Sequence, residues 1–357
     1  MTATLTRGTA EIDSASNEVN MVCRQVRWVS QDVRTFVFEA EDSTVPDFGA
    51  GQFLTWFFDI NGKIVSRCYS ISSPPTRGAR VSITVKRIPN GVVSNWLHDT
   101  MTPGMTVLAM GPGGSFCLES VLAKRLFLAG GSGITPFMSM LRTMHDLGAD
   151  DDVVFVQNAR SPKDLLFTEE LTTIARDLPN VRVINLCDEE APGWPWHGAV
   201  GRLTAQSLEA HVPDIAERLV YCCGPKPYMT AMRKAAIALG VPEHAYFEES
   251  FSLPEATSPV PPASKGRAAT AGFKVEFRKI GKCIECRPDE PVLRAAFRAG
   301  LNPPSSCMEG MCGTCKVQVI EGEVEMLHTG GIRPREIEDN KILLCCSTPK
   351  SDLIIDA

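Results

Sequence analysis

Several cysteines near the C-terminus have the spacing of ligands for a two-iron, two-sulfur (2Fe–2S) cluster. Cys307, Cys312 and Cys315 form a C-x4-C-x2-C run, and the adjacent Cys345 and Cys346 follow after 29 intervening residues. Such a cluster takes four thiolate ligands, and this spacing is one that supplies them. A structural zinc site is the alternative, but zinc-binding cysteines more often come as two C-x2-C pairs. The spacing therefore predicts a 2Fe–2S cluster.

The identity of the fourth ligand is not settled by counting residues. Residues 344–349 resemble the closing segment of plant-type ferredoxins, in which the ligand is the first of the two adjacent positions. This resemblance implies that Cys345 is the ligand and that Cys346 is a buried small apolar residue. Cys283 and Cys286 form an isolated C-x2-C pair, and because the ligand count is already filled, we interpret both as structural.

The whole chain has the composition of an ordinary globular protein. Its 357 residues are enough for two or three domains, with 44% hydrophobic residues and a net charge of −6. This mild acidity argues against nucleic acid or an anionic membrane as a partner. No apolar run approaches the roughly 18 residues that a membrane span needs, and the first 20 residues lack the apolar core of a signal peptide. Isolated cysteines in apolar stretches (Cys23, Cys117, Cys187) suit reduced thiols, so we expect a cytoplasmic protein.

Composition shifts divide the chain into three predicted domains. Residues 253–271 are rich in Pro, Ser and Ala and predict a linker, and residues 1–20 predict a flexible tail. Residues 21–118 contain short alternating stretches (34–38, 52–58, 65–71 and 81–86) between turn signals, which predicts a small antiparallel β-barrel.

The other two domains contain helices as well as strands. Residues 119–252 carry near-continuous apolar runs (126–128, 153–157, 181–186 and 219–222) between helical stretches, which is typical of an α/β domain. Residues 272–357 form the predicted cluster domain, with strands over 273–279 and 282–286 and a helix over 291–299 that ends at Gly300.

A glycine-rich turn follows the first apolar run of the predicted α/β domain. Residues 129–136 read Ala-Gly-Gly-Ser-Gly-Ile-Thr-Pro and lead into a predicted helix over 137–147. Glycines such as Gly131 and Gly133 let backbone amides approach a pyrophosphate, whose charge a helix N-terminus favours. Pro136 suits an early helical position. A tight turn without a ligand is the simpler alternative, but the strand–turn–helix context favours nucleotide binding.

One strand of the predicted barrel carries an arginine and a tyrosine on the same face. Alternation over 65–71 places Arg67 and Tyr69 on one side and Ser70 on the other. Arg offers a fork for phosphate and Tyr a flat surface for a ring system. From spacing alone, a surface pair on an edge strand is the more economical interpretation.

A second phosphate cradle is predicted where Gly91 begins a short helix that ends near residue 99. Backbone amides and the Ser94 hydroxyl could bind an anion there. The alternative is a simple N-terminal cap.

Together these segments resemble the ferredoxin–NADP reductase superfamily, in the branch with a C-terminal plant-type ferredoxin domain. The resemblance covers residues 21–357 and rests on R-x-Y-S at 67–70, G-x-x-S at 91–94, the glycine-rich turn and Cys-Gly-Pro at 223–225, besides the cysteine run. It implies a multidomain fold with an antiparallel β-barrel flavin domain, an α/β nucleotide-binding domain and an α+β (β-grasp) ferredoxin domain.

The resemblance also implies roles for individual residues. Ser70 would bond near flavin N5 and Cys223 would lie beside the nicotinamide, so these two are the implied catalytic residues. The G-x-x-S helix indicates FAD rather than FMN, because it holds the pyrophosphate that FMN lacks. The implied cofactor-binding residues are Arg67, Tyr69, Ser70, Lys86, Gly91, Ser94, Gly131, Gly133, Thr135, Pro136, Gly224 and Phe251, and the implied cluster ligands are Cys307, Cys312, Cys315 and Cys345.

The function implied is an electron-transfer reductase. NADH would give a hydride to FAD, and single electrons would pass through the 2Fe–2S cluster to a partner protein. The implied partner is a Rieske non-haem iron oxygenase, as in quaternary-amine demethylating systems. The alternatives are a hybrid-cluster protein or another acceptor protein, or a non-catalytic redox carrier or sensor.

The choice between NADH and NADPH depends on the segment after the second apolar run of the α/β domain. Arg160 and Ser161 lie there, where a ribose 2′-phosphate would be read. The resemblance favours NADH, and NADPH stays as the alternative.

Overall fold

A computed structural model of the chain describes residues 18–41, 45, 47–114, 116–118, 123–251, 272–301, 303, 310, 313, 315–328, 332 and 334–357. Most of the predicted tail, the predicted linker over 253–271, and Cys307 and Cys312 lie outside these residues. The described strands form two six-stranded sheets, one five-stranded sheet and one two-stranded sheet. In the part of the chain that is described, no helix is long and apolar enough to cross a membrane.

The N-terminal sheet is an antiparallel barrel of six strands in the order β4-β3-β6-β1-β2-β5. An antiparallel bridge between Ile71 and Ile83 joins its first and last strands. Trp56 and Phe58 are among the side chains that fill its interior, fully buried. Its elements are β1 (Glu18–Ser30), β2 (Val33–Ala40), β3 (Phe53–Ile60), β4 (Lys63–Ser70), β5 (Val81–Lys86), α1 (Val92–Thr100) and β6 (Thr106–Gly113).

The start of the barrel differs from the sequence prediction. Strand β1 begins at Glu18, which pairs with Met110 of β6, so residues 18–20 belong to the barrel and not to the tail predicted over 1–20. The alternation of β1 is broken by a register shift between Cys23 and Gln25. A bulge of this kind hides the period of two on which strand prediction depends.

The second six-stranded sheet is entirely parallel, with strand order β10-β9-β8-β7-β11-β12. Because its strands are parallel, the segments that follow them all lie at one edge, where nucleotides bind in such folds. Its elements are β7 (Lys124–Gly130), α2 (Thr135–Leu147), β8 (Asp152–Ala159), α3 (Thr168–Asp177), β9 (Val181–Cys187), β10 (Ala199–Val200), α4 (Ala205–His211), β11 (Leu219–Cys223), α5 (Lys226–Ala238) and β12 (Tyr246–Glu249).

The barrel and the parallel sheet share one hydrophobic core. Val33 and Phe116 of the N-terminal region pack in the same buried cluster as Phe127 and Phe137. The rings of Phe116 and Phe137 meet edge to face, with centroids 5.7 Å apart. These two domains are therefore packed against each other by apolar side chains.

The C-terminal sheet is mixed, with strand order β14-β13-β19-β15-β17, and it forms a separate core with α6. As predicted, the helix is followed by a glycine, Gly300, in the left-handed region (φ 76°). The elements are β13 (Phe273–Phe277), β14 (Lys282–Cys286), α6 (Val292–Arg298), β15 (Lys316–Glu321), β16 (Val324–Met326), α7 (Pro334–Glu338), β17 (Lys341–Leu343), β18 (Ser347–Pro349) and β19 (Leu353–Ile355).

Candidate functional site

Three buried residues meet where the barrel contacts the parallel sheet. Ser70 ends β4, and its Oγ donates a hydrogen bond of 2.9 Å to Oε2 of Glu249, the last residue of β12. Glu249 pairs in register with Cys223, the last residue of β11. Ser70 and Glu249 are each 4% exposed, and Cys223 is fully buried. We call Ser70, Cys223 and Glu249 the interdomain junction; it brings together the two residues predicted to be catalytic.

Burial makes the interdomain junction electrically neutral near pH 7. Burial away from water raises the pKa of the Glu249 carboxyl to about 8, although the hydrogen bond from Ser70 acts in the opposite direction. Burial likewise raises the pKa of the Cys223 thiol well above its usual value, and the nearby Glu249 adds to that shift. The carboxyl and the thiol are therefore both protonated at neutral pH. A neutral, dry site suits hydride transfer between two ring systems.

The glycine-rich turn lies directly against the interdomain junction. A Cβ atom on Gly133 would stand 2.3 Å from the carbonyl oxygen of Cys223, and one on Gly224 would stand 3.0 Å from Cα of Gly130. Only glycine permits such approaches. Gly131 has φ 54° and open space where its Cβ would point. This turn thus offers the backbone cradle that a pyrophosphate needs.

The start of α2 completes this cradle. Thr135 is the first residue of α2 and Pro136 the second, and both are buried. The Thr135 hydroxyl donates to the carbonyl oxygen of Ser132 at 3.3 Å. The helix therefore begins at the turn, with its N-terminal amides at the same edge of the sheet as the interdomain junction.

The R-x-Y-S segment forms the last half of β4. Arg67 and Tyr69 are half-buried, and the next residue is the buried Ser70. Burial raises the pKa of the Tyr69 phenol, while the charge of Arg67 acts in the opposite direction, so the two side chains interact. Cys68 contacts the Thr55 hydroxyl at 3.4 Å. The strand thus holds an arginine and an aromatic ring beside the interdomain junction, as a flavin site requires.

The G-x-x-S segment forms a tight start to α1. Ser94 Oγ accepts a hydrogen bond of 3.2 Å from the amide of Ile88 and therefore closes the turn before the helix. A Cβ atom on Gly91 would stand 2.5 Å from that oxygen, so a larger residue there would displace the Ser94 hydroxyl. Among the residues that the structure describes, Ser94 Oγ makes no other hydrogen bond. No side chain in the described part of the chain caps the first amides of α1, so this geometry is compatible with a bound pyrophosphate.

Two of the predicted cofactor-binding residues, Lys86 and Phe251, lie in surroundings that do not by themselves indicate a cofactor. Lys86 ends β5, and its ammonium group pairs with Asp32 at 3.2 Å. Phe251 follows β12 and is 41% exposed. Their cofactor-binding roles stay predictions.

A group of charged residues lies further along the same edge of the sheet. Asp164 accepts a hydrogen bond of 2.7 Å from the Ser161 hydroxyl and pairs with Arg160 at 3.6 Å. The amides of Asp188 and Glu189 donate to the carbonyls of residues 159 and 160, at 3.0 and 2.9 Å. We call Arg160, Ser161, Asp164, Asp188 and Glu189 the Asp164 cluster. In the structure, the two residues predicted to read a 2′-phosphate already face a carboxylate.

Two of the four predicted cluster ligands fall within the described residues, and they are neighbours. The Gly310 amide donates to Cys345 Sγ at 3.2 Å, and the Cys345 amide lies 3.4 Å from Cys315 Sγ. Both sulfurs are buried, and amides directed at sulfur suit thiolate ligands of an iron–sulfur cluster. No group of three metal-binding side chains occurs among the residues the structure describes; Cys307 and Cys312 lie outside them.

The other cysteines of this domain have different environments. Cys346 is half-buried rather than buried, and its Sγ lies 2.8 Å from where a Cβ on Gly310 would be. Cys283 is exposed, whereas Cys286 is buried and its thiol donates to the Glu290 carbonyl at 3.3 Å. The structural interpretation of this last pair stays a prediction.

Glu249 is the site residue that sequence reasoning missed. The resemblance implies a cofactor-binding role for Phe251, two residues further along the chain, but none for Glu249. The available signal was a carboxylate at the end of the last strand of an α/β domain, where ligand-binding residues concentrate. Its burial, which gives it an unusual pKa, depends on the packing of two domains.

Comparison with known families agrees with this geometry. Residues 21–117 match the oxidoreductase FAD-binding domain, residues 127–234 the oxidoreductase NAD-binding domain, and residues 276–350 the 2Fe-2S iron-sulfur cluster binding domain. The three matches confirm the predicted fold class and the predicted order of cofactor-binding domains.

Individual relatives share this whole arrangement. The chain is 41% identical over 349 residues to the glycine betaine monooxygenase reductase subunit of Pseudomonas aeruginosa, covering 94% of each chain. It is 35% identical over 332 residues to the stachydrine N-demethylase reductase subunit of Rhizobium meliloti, covering 91% of this chain and 93% of the relative. Phthalate dioxygenase reductase, a solved structure, matches with a TM-score of 0.57 and 25% identity, covering 95% of this chain and 98% of that one. The chain therefore belongs to the family of oxygenase reductase subunits, which are NAD(P)H-dependent flavin iron–sulfur oxidoreductases.

Proposed function

We propose that this protein is the NADH-dependent reductase of a Rieske non-haem iron oxygenase that demethylates a quaternary amine. The observation that carries the proposal is the interdomain junction, where β4 and the parallel sheet meet through a 2.9 Å hydrogen bond. We call β4, which carries the R-x-Y-S motif, the flavin strand. The bound groups supply the redox chemistry, with a hydride passing from NADH to FAD and single electrons leaving through the 2Fe–2S cluster. We retain 119–252 and 272–357 as the proposed bounds of the second and third domains. The first ends at residue 118, as predicted, and starts at Glu18, where β1 begins.

The residues present fit these groups. Arg67 and Tyr69 would hold the phosphate and the ring of FAD, and the amides at the start of α1 would hold its pyrophosphate. The open, left-handed Gly131 and the N-terminus of α2 would hold the pyrophosphate of NADH. Cys315 and Cys345 would be two of the four cluster ligands.

The interdomain junction would orient and protect the reacting rings. Ser70 is held by Glu249, so its hydroxyl has a fixed direction at the end of the flavin strand. Cys223 presents an uncharged thiol at the end of β11, where the glycine-rich turn meets it. Neither residue is needed as an acid or base for hydride transfer itself, and their contribution is orientation and exclusion of water. Protonated Glu249 would hold a proton within reach of Ser70.

The Asp164 cluster supports NADH over NADPH. The Asp164 carboxylate already engages Ser161 and Arg160, which are the donors a 2′-phosphate would need. Asp188 and Glu189 add two exposed acidic residues beside them. A phosphate monoester carries about −1.5 to −2 charges at neutral pH. The carboxylates of Asp164 and Glu189 would therefore disfavour it, while Asp188 is paired with Arg202 at 3.8 Å.

The relatives support an oxygenase as the electron acceptor. Two of them are named as reductase subunits of enzymes for glycine betaine and stachydrine, and this favours an oxygenase over a hybrid-cluster protein. We place the protein in the cytoplasm, because Cys23, Cys187 and Cys222 are buried thiols inside strands, as suits a reducing compartment.

Reconstitution with an oxygenase tests this proposal. The purified protein, NADH and a Rieske N-demethylating oxygenase should convert a quaternary amine with release of formaldehyde, one formaldehyde for each NADH oxidised. The matched control is Cys345→Ser, which should lose the cluster and formaldehyde production while keeping NADH-dependent reduction of ferricyanide. Formaldehyde release by the Cys345→Ser protein at the wild-type rate would contradict the proposed electron path.

A further inference from the structure

Three polar side chains of α2 hold the barrel segment that follows the flavin strand. Ser139 Oγ donates to the backbone carbonyl of residue 73 at 2.8 Å, and Arg142 Nη1 donates to the carbonyl of residue 72 at 2.5 Å. Asp146 accepts a hydrogen bond of 2.9 Å from Nε of Arg77. Positions i, i+3 and i+7 lie on one face of a helix, so the three act along one line. We call Ser139, Arg142 and Asp146 the α2 clamp.

The α2 clamp ties together the two sides of the interdomain junction. On one side, α2 begins at Thr135, at the glycine-rich turn, and Ser139 lies about 6 Å further along the helix axis. On the other side, residues 72 and 73 follow Ser70 by only two and three positions, a chain length of at most about 11 Å. A shift of α2 relative to the barrel would therefore move the nucleotide cradle relative to the flavin strand.

Arg142 is itself held in place by a carboxylate and by an aromatic ring. Its Nε and Nη2 donate to the two carboxylate oxygens of Glu170 on α3, at 2.7 and 2.6 Å. The guanidinium lies over the Phe167 ring at 5.1 Å, and only 13% of the side chain is exposed. A bidentate ion pair and a ring face fix the plane of the guanidinium. The remaining nitrogen, Nη1, is therefore already oriented towards the carbonyl of residue 72, and little side-chain entropy is lost when that bond forms.

Ser139 and Arg142 bind backbone carbonyls and not charged groups of the barrel, so these two bonds fix positions. Ser139 is fully buried, and its hydroxyl and the Arg142 guanidinium bind backbone atoms, whose positions are fixed by the chain path. An error of about 1 Å in the placement of reacting groups can cost a factor of about 10² in rate. Two partly buried bonds to fixed backbone atoms can hold such a tolerance, whereas exposed ion pairs contribute little.

We propose that Arg142 and Ser139 are positioning residues that set the distance and angle between nicotinamide and flavin. The inference rests on the proposed function, since it assumes hydride transfer at the interdomain junction. Neither residue contacts the reacting atoms. Their effect would be transmitted through α2 and through residues 72 and 73.

Anaerobic stopped-flow reduction of the FAD- and cluster-loaded protein by NADH tests the proposal. Arg142→Met should slow flavin reduction by about 10²-fold at saturating NADH, with the dissociation constant of NADH changed by less than about threefold. Arg142→Lys, which keeps the charge but not the fork, should be intermediate, and Ser139→Ala should slow the step by roughly tenfold. The control is Arg176→Met on α3, an exposed arginine (72%) with no barrel contact among the hydrogen bonds and ion pairs of the described residues, which should behave as wild type.

Two further measurements distinguish positioning from simple destabilisation. The charge-transfer absorbance of the NADH–flavin complex depends on ring overlap and should weaken in Arg142→Met and Ser139→Ala. Hydrogen exchange at the amides of residues 72, 73, 76 and 77 should become faster in both variants, in the absence of turnover. If Arg142→Met does not fold, Arg142→Lys and Ser139→Ala carry the test.

The outcomes separate this proposal from the proposed function. Normal flavin reduction and charge-transfer absorbance in variants with a lowered melting temperature would mean that the α2 clamp only stabilises the fold, and would overturn the positioning role. Failure of NADH to reduce the wild-type flavin would instead overturn the proposed function, and the positioning role with it. Slow reduction with weakened charge-transfer absorbance in the clamp variants alone supports the proposal.

Discussion

The interdomain junction and the Asp164 cluster lie at the same edge of the parallel sheet, but one is buried and neutral and the other is charged and more exposed. At the junction, burial raises the pKa of Glu249 to about 8. In the Asp164 cluster, Arg160 is 71% exposed and is paired with a carboxylate. Hydride transfer requires exclusion of water and a fixed distance between the two rings. Recognition of a ribose requires charged and hydrogen-bonding groups that the solvated sugar can reach. The difference indicates that rate and nucleotide selectivity are set by separate residues.

We expect the largest effect on the rate of flavin reduction from a substitution that removes the hydrogen bond of the interdomain junction. Ser70→Ala removes the donor to Glu249 and the hydroxyl beside the flavin strand, so reduction of the flavin by NADH should slow by about 10²-fold. Stopped-flow absorbance of the flavin under anaerobic conditions measures this rate. Ser70→Thr keeps a hydroxyl and should retain more of the rate. The preference for NADH over NADPH should not change, and a changed preference would show that the two regions are not separate.

The second prediction uses the pH dependence of stability. The pKa of Glu249 is raised in the folded state from 4.5 to about 8, so the folded protein binds this proton more tightly than the unfolded chain. The stability that this group contributes is therefore fully present below pH 4.5 and is lost as the pH rises towards 8, with a slope of about 1.4 kcal/mol per pH unit. Urea unfolding of wild type and Glu249→Gln between pH 5 and 9 compares the two slopes. Parallel pH profiles would contradict the raised pKa.

The smallest expected effect is on selectivity. Asp164→Ala releases Ser161 and Arg160 to bind a 2′-phosphate, so the ratio of kcat/KM for NADPH to that for NADH should rise by about tenfold, equivalent to roughly 1.4 kcal/mol. Steady-state reduction of ferricyanide with each nucleotide gives this ratio. Asp177→Ala, an exposed aspartate on α3, is the matched control. An unchanged ratio in Asp164→Ala would remove the support for NADH that this cluster gives.

The sequence was sufficient for elements whose pattern is local. The strand predicted over 81–86 is β5 to the residue, and the helix predicted over 137–147 is α2 without its first two residues. Apolar runs predicted the central strands of the parallel sheet because strands buried on both faces are continuously hydrophobic. Strand β1 was missed because its bulge breaks the alternation.

The candidate site was predictable where a motif is contiguous and not where it is assembled by packing. Ser70 and Cys223 came from contiguous motifs, and the structure brings both to the interdomain junction. Glu249 is 179 positions from Ser70, and no spacing rule links them. The contacts of Arg142 with residue 72 and with Glu170 likewise depend on how two domains and two helices pack. Burial and long-range contact are properties of the fold that a single sequence does not display.

Electron flow through the loaded protein is tested most directly by mixing it with one equivalent of NADH without oxygen. Flavin and cluster are followed separately, by absorbance and by the electron paramagnetic resonance signal of the reduced cluster. We expect the flavin to bleach first and the cluster signal to appear afterwards, with the second phase missing in Cys345→Ser and the first phase slowed in Ser70→Ala. A cluster signal that forms before or without flavin bleaching, or a flavin that NADH does not bleach, would contradict entry at the interdomain junction and exit at the cysteines.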